Sequence, residues 1–191
     1  MTLIIGTSGR ARHGKTDTCK AVADYVNNEL DFTVYGHVPV ARLYDIGDLI
    51  RRYCIAGGIL PQVERADMTR PQLEILINVG KEKRAVDVNF WIGQMMGQIA
   101  LDNPDVALIP NLRYENEAIA VRRAGGYVVR CVRLNPNGST FISDDRPAND
   151  VSETALEFWP ADFYLVTKDG HAGLIGEQAI TLYEYLRGLH A

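Results

Sequence analysis

Gly9, Gly14, Lys15 and Thr16 stand at the spacing G-x-x-x-x-G-K-[ST], inside the run Gly9-Arg10-Ala11-Arg12-His13-Gly14-Lys15-Thr16-Asp17. Those residue types in that pattern suit one task, the holding of a polyphosphate. Glycines let the backbone curl until its N–H groups converge, and a helix starting at Lys15 adds the positive end of its dipole. The lysine reaches the outer phosphates and the Thr16 hydroxyl is offered to Mg²⁺. Arg10, Arg12 and His13 fill the free positions, where they either add positive charge beside the phosphates or face solvent. The pattern implies a nucleoside triphosphate and leaves its use open, because switches, motors and small-molecule kinases all share it.

The elements that must position these residues follow from periodicity and punctuation. Leu3 to Thr7 reads as a buried strand and Lys15 to Leu30 as a helix with Val22, Val26 and Leu30 on one stripe. A second strand is expected over Val38 to Tyr44, a helix from Asp45 to Ile55 broken by Gly57-Gly58, a helix from Pro71 to Lys83 and another from Val88 to Leu101. Asp105 to Pro110 reads as a strand, Glu115 to Ala124 as a helix closed by Gly125-Gly126, and Tyr127 to Leu134 as a strand. Asn135 to Asn149 holds turn-formers and charges. Phe163 to Thr167 and Leu174 to Leu189 complete the series as strand and helix. Strands alternating with helices predict a parallel, three-layer α/β/α sheet in a single domain spanning 1–191.

With these elements in place, four segments together resemble the phage-type deoxynucleoside monophosphate kinases, a branch of the P-loop nucleotide kinases. They are the glycine loop, "MTRPQLEILINVGKEKRAVDVNFWI", "LIPNLRYENEAIAVRRAGGYVVRCVR" and "VSETALEFWPADFYLVTKDG", in the family's order and over nearly the whole chain. The resemblance implies a P-loop kinase fold with a helical acceptor-binding region at about 56–104 and a lid loop at about 134–150. It implies ATP and Mg²⁺ as donor and cofactor, a deoxynucleoside 5′-monophosphate as acceptor, and the diphosphate as product. Phosphoryl transfer between two polyanions needs cations that hold donor and acceptor in line, so arginines are the residues to seek.

Arg70 and Arg84 bracket the central helical segment and would grip the acceptor or remain solvated. Trp91, beside Phe90, would stack on a base or belong to the core. Arg113 follows a strand at its carboxyl end, where ligands sit in open parallel sheets, and is expected as a catalytic phosphate ligand with Lys15 and Arg146. Glu117 or Glu115 would hold it. Arg133 and Arg146 fall in the segment resembling the lid, Arg133 on the donor side. Ser152 and Glu153 match a Ser-Glu element and would either meet the acceptor or sit in a short helix capped by Asp150 or Ser152. One departure stands out: where the family generally shows aspartate, this chain has Asn111, which can ligate Mg²⁺ only as a neutral group. Asp45 or Asp48 would supply the missing carboxylate, or cap a helix.

The bulk sequence narrows the alternatives. No apolar run approaches membrane-spanning length, and the start lacks the charged and apolar regions of a secretory signal, so a cytoplasmic protein is expected. Cys19, Cys54 and Cys131 are odd in number and unpaired in spacing, against a disulfide framework or zinc site. A net charge of −4 counts against a broad nucleic-acid footprint. It therefore weighs against a kinase acting on a modified base or hydroxyl in DNA, one alternative; a nucleotide-binding regulator without an acceptor is the other. A homodimer is compatible with the family resemblance.

Overall fold

The computed structural model describes residues 1–28, 30, 37–144, 147, 149–171 and 173–190. The chain divides into two compact units, Met1–Leu43 with Asn103–Ala191, and Tyr44–Asp102.

The first unit is built on five strands: β1 (Leu3–Ser8), β2 (Ala41–Leu43), β3 (Val106–Leu112), β4 (Tyr127–Leu134) and β5 (Phe163–Lys168). They pair in the order β2-β3-β1-β4-β5, every pair parallel. Helices α1 (Lys15–Asn28) and α7 (Leu174–His190) cover one face. There Val22 and Val26 of α1 and Tyr183 and Leu186 of α7 pack on Leu3, Ile5, Leu108, Val129 and Leu165. Strand residues alternate between faces, so Ile4 turns to the other side, where Val121 of α5 (Glu115–Arg123) packs close to it across Gly126. The expected three layers are present in this unit.

Two boundaries differ from expectation for a physical reason. Strand β3 does not stop at Pro110 but continues to Leu112. From Gly6 to Ser8 the first strand advances two residues while β3 advances three, Ile109 to Leu112, and this bulge absorbs the proline that cannot donate to the ladder. Asn111 occupies it with φ 66°, a left-handed conformation that asparagine tolerates better than most residues. Strand β2 is shorter than the expected Val38 to Tyr44, spanning only three residues.

The second unit holds α2 (Ile46–Ala56), α3 (Arg70–Val86) and α4 (Phe90–Asp102), with a 3₁₀ turn at Arg65–Asp67. Asp45 caps α2 by accepting from the Asp48 amide at 3.2 Å. Gln72 reaches back to the Thr69 amide at 2.8 Å and fixes the start of α3. Helix α2 packs against both α3 and α4, and Tyr44 Oη donates to Asp102 Oδ2 at 2.9 Å, joining the two ends of the unit. This unit runs from Tyr44 to Asp102, its first helix starting at Ile46. Among the described residues no helix is long and apolar enough to cross a membrane.

Candidate active site

In the first unit β1 is central, and the chain leaves β1 towards β2 on one side but passes from β3 to β4 on the other. In parallel sheets the crevice for a ligand opens where the connections part in this way, beyond the strands' carboxyl ends. The loop from Gly9 to Gly14 lies there. Gly9 adopts φ 137°, and a Cβ on it would stand 2.3 Å from the Cys131 carbonyl oxygen of β4. Gly14 adopts φ 82°, and a Cβ there would crowd Ile175 at 3.2 Å. The loop thus takes a curl that side chains at these two positions would oppose, as the spacing predicts.

Helix α1 begins at Lys15, which is buried and folds back so that Nζ donates to the Arg10 carbonyl at 2.6 Å. The ammonium group is therefore held inside the crook by a backbone oxygen, a contact that phosphate oxygens can replace. Thr16 is half-buried and Asp17 exposed in the first turn of α1. His13 neither faces solvent nor offers charge. It is 3% exposed, with Nε2 2.8 Å from the Phe141 carbonyl and Nδ1 3.3 Å from that of Cys131. Burial lowers its pKa, with Lys15 and Arg10 acting in the same direction against the two carbonyls, so a neutral ring fits. Its single N–H is assigned to Nε2 by the shorter contact, and the histidine pins the loop to the segment after β4.

Arg10 is also engaged, its Nη2 lying 2.9 Å from both carboxylate oxygens of Glu157. Arg12 is exposed with φ 61°. Its carbonyl lies 3.5 Å from Nη1 of Arg133, whose guanidinium stacks 4.1 Å from the Phe141 ring centroid and pairs with Asp169. Arg133 thus lies beside the glycine loop. Thr140 bridges back to Leu134 and gives the base of the 134–150 loop some order. Arg146 lies outside the described residues.

Arg113 follows β3 directly. The expectation that Glu117 or Glu115 holds it is met only for the backbone: Glu117 Oε2 accepts from the Arg113 amide at 2.7 Å and from that of Tyr114 at 3.2 Å, fixing the entry to α5. Its guanidinium is held elsewhere. Nη1 donates to Glu153 Oε1 at 2.8 Å, with the Ser152 carbonyl and Oγ at 3.2 and 3.3 Å. Of the two candidate caps, Asp150 is the one used; its Oδ1 accepts from Ser152 N at 2.8 Å and from Ser152 Oγ at 2.7 Å at the start of α6 (Val151–Thr154).

Glu153 has a side chain only 4% exposed, and its second oxygen accepts from the Ala11 amide of the glycine loop at 2.5 Å. Burial alone would raise its pKa, but the Arg113 hydrogen bond, the Ala11 amide and the charges of Arg113 and Lys15 together bring it below the ordinary value. A cavity of about 230 Å³ opens between the loop and these groups, lined among others by Gly9, Arg10, Arg113, Glu153 and Tyr164.

Arg130, not singled out from the sequence, belongs to the same architecture. Its guanidinium is buried in β4 and donates to the carbonyls of Leu156, Glu157 and Trp159, anchoring the chain just past α6. Desolvation lowers its pKa without making it other than a cation. The available signal was a lone arginine inside Val128-Val129-Arg130-Cys131-Val132, where a charge must be paired to be buried.

Four expected substrate contacts lie in the second unit. Asp45 is a helix cap. Arg70 is 92% exposed beside Glu74, and Arg84 donates to the Gly80 carbonyl at 3.2 Å. Trp91 corrects the stacking expectation: it is 1% exposed, and its indole N–H donates to Gly80 O at 3.1 Å, so no ring face is open to a base. Among the described residues no group of three His, Cys, Asp or Glu side chains could hold a metal ion. Thr16 and Asn111 remain the candidates beside the loop.

No family model and no curated protein matches the chain. A solved structure does: a protein of Chloroflexus aurantiacus J-10-fl described as "a putative kinase" aligns with TM-score 0.50 at 15% identity. The alignment covers 98% of this chain and 97% of that one. At that identity the likeness is one of fold, an α/β architecture built on a parallel sheet.

Proposed function

We propose that the chain transfers the γ-phosphoryl group of ATP to the 5′-phosphate of a deoxynucleoside monophosphate, giving the diphosphate. One observation carries this reading: two cationic elements end adjacent strands of one sheet. Lys15 is buried in a glycine crook behind β1. Arg113, behind β3, makes all its guanidinium hydrogen bonds among the described residues through Nη1. A switch or motor needs the first element; a second cation fits an acceptor that is itself an anion.

The residues divide the task accordingly. The amides at the start of α1 face the donor phosphates, and Lys15 leaves the Arg10 carbonyl for the outer phosphate oxygens. Arg113 takes the acceptor phosphate on its Nε–Nη2 edge while Nη1 stays anchored. A phosphate monoester has its second pKa near 6, so its attacking oxygen is already ionised at neutral pH and no protein base is required. The remaining work is alignment and charge stabilisation. Thr16 and Asn111 would hold Mg²⁺, which would supply charge neutralisation across the phosphates. The 134–150 loop, tied to the glycine loop through His13 and Phe141, would close over the site and exclude water as a competing acceptor.

The test is incubation with γ-labelled ATP and each of the four common deoxynucleoside monophosphates, alongside a DNA oligonucleotide. Label in a deoxynucleoside diphosphate is expected. Label only in the oligonucleotide, or only in inorganic phosphate, would overturn the proposal.

A further inference from the structure

Glu153 touches both halves of the site at once. Its Oε2 accepts from the Ala11 amide at 2.5 Å and its Oε1 from Arg113 Nη1 at 2.8 Å. The carboxylate is nearly inaccessible, at 4% exposure, so solvent does not compete strongly for either oxygen. The helix presenting it is short, four residues from Val151, and is held at both ends. Asp150 clamps its start through Ser152 N and Oγ, and buried Arg130 takes the carbonyls of Leu156, Glu157 and Trp159 just beyond it. Arg10 adds a second tie between the glycine loop and this segment, through Glu157 at 2.9 Å. A rigidly mounted carboxylate joining a loop amide to an arginine on the neighbouring strand sets the separation between them.

We infer that Glu153 is a positioning residue: its carboxylate couples the donor loop at Ala11 to the acceptor arginine at Arg113 and fixes the distance between the two anion sites. The inference rests on the phosphoryl-transfer reading above for its consequence in catalysis, but not for the coupling itself. In-line transfer is sensitive to such spacing, since a misplacement of about 1 Å can lower turnover about 100-fold. The charges matter as well. With Arg113 present the Glu153 carboxylate faces a guanidinium nitrogen at 2.8 Å; without it, that compensation is lost from a carboxylate in contact with the loop that must enclose a polyanion.

The coupling is tested without catalysis by titrating Mg-ATP calorimetrically into four forms of the full chain: wild type, Arg113→Ala, Glu153→Gln and the double variant. Arg113→Ala is expected to weaken ATP binding about tenfold, because the Glu153 carboxylate beside the loop loses its guanidinium partner. The double variant is expected to bind within about twofold of wild type, because the offending charge is gone. An Arg113→Ala protein that binds ATP normally, or a double variant as weak as Arg113→Ala, would overturn the coupling.

Glu153→Asp keeps the charge but is one methylene too short to reach both partners, and it serves should Glu153→Gln fail to fold. In the Arg113→Ala background it must leave ATP binding weak; recovery there would contradict the inference. With acceptor present, Glu153→Asp should lower kcat about tenfold or more while KM for ATP stays within about twofold. Wild-type turnover would refute the positioning role. A wild-type chain that phosphorylates no deoxynucleotide would sink the proposed function alone, and the binding cycle would still decide the coupling.

Discussion

Gly9→Ala adds one methyl group where the structure leaves no room. The new Cβ would stand 2.3 Å from the carbonyl oxygen of Cys131, about 1 Å inside ordinary contact, at a backbone φ of 137°. Cys131 cannot yield, because β4 is locked between β1 and β5 and residue 131 is in register with Leu165. The loop must move instead. Forcing a non-glycine residue into such a conformation costs on the order of 1–3 kcal/mol, and relieving the clash displaces the crook by about 1 Å. If 2 kcal/mol of this falls on the binding-competent loop, Mg-ATP affinity drops about 30-fold. Calorimetric titration of Mg-ATP reads the effect, with Gly188→Ala as the control. That glycine lies in α7 with nothing within 4 Å of a built Cβ, and alanine there should stabilise the chain by up to about 1 kcal/mol. A Gly9→Ala protein that binds ATP as tightly as wild type would refute the steric reasoning and the placement of the nucleotide.

Asn111→Asp places a carboxylate at the end of β3 in a conformation aspartate also tolerates, and should lower the Mg²⁺ concentration for half-maximal rate by about threefold or more; an unchanged Mg²⁺ dependence would remove residue 111 from the metal site. Trp91→Phe loses the bond to Gly80 O and leaves a small void, so it should destabilise the chain by about 1–3 kcal/mol while the acceptor KM changes less than about threefold; a large rise in KM with normal stability would return Trp91 to the substrate. The Glu153 carboxyl is held below its ordinary value of 4.5 in the fold, so the stability it contributes is present above that value and is lost as pH falls through the folded pKa. Denaturant midpoints of wild type and Glu153→Gln should therefore converge as the solution is acidified below about 4.5, and a gap that persists would contradict the ionised, paired carboxylate.

Local chemistry made part of this site legible. The glycine loop, its strand and the start of α1 at Lys15 follow from residue types that leave the backbone few alternatives, and β4 runs as expected from Tyr127 to Leu134. Pro110 misled the reading of β3, because a bulge with Asn111 in a left-handed conformation carries the strand past it. Trp91 shows the limit of reading aromatics: whether a ring lines a pocket or fills a core depends on the helices around it. The ties of Glu153 to Ala11 and Arg113, 142 and 40 positions away, and of Arg130 to the carbonyls past α6 belong to tertiary structure. No periodicity announces them, although the lone arginine inside an apolar strand marks a buried charge in need of partners.

The central claim is that the crook behind β1 encloses a triphosphate tail gripped by Lys15, and equilibrium binding of Mg-ATP to wild type and Lys15→Ala tests it most directly. The account predicts saturable binding to wild type and a loss of about tenfold or more on removing the ammonium group. Equal affinity in the two proteins, or no binding to wild type, would contradict it.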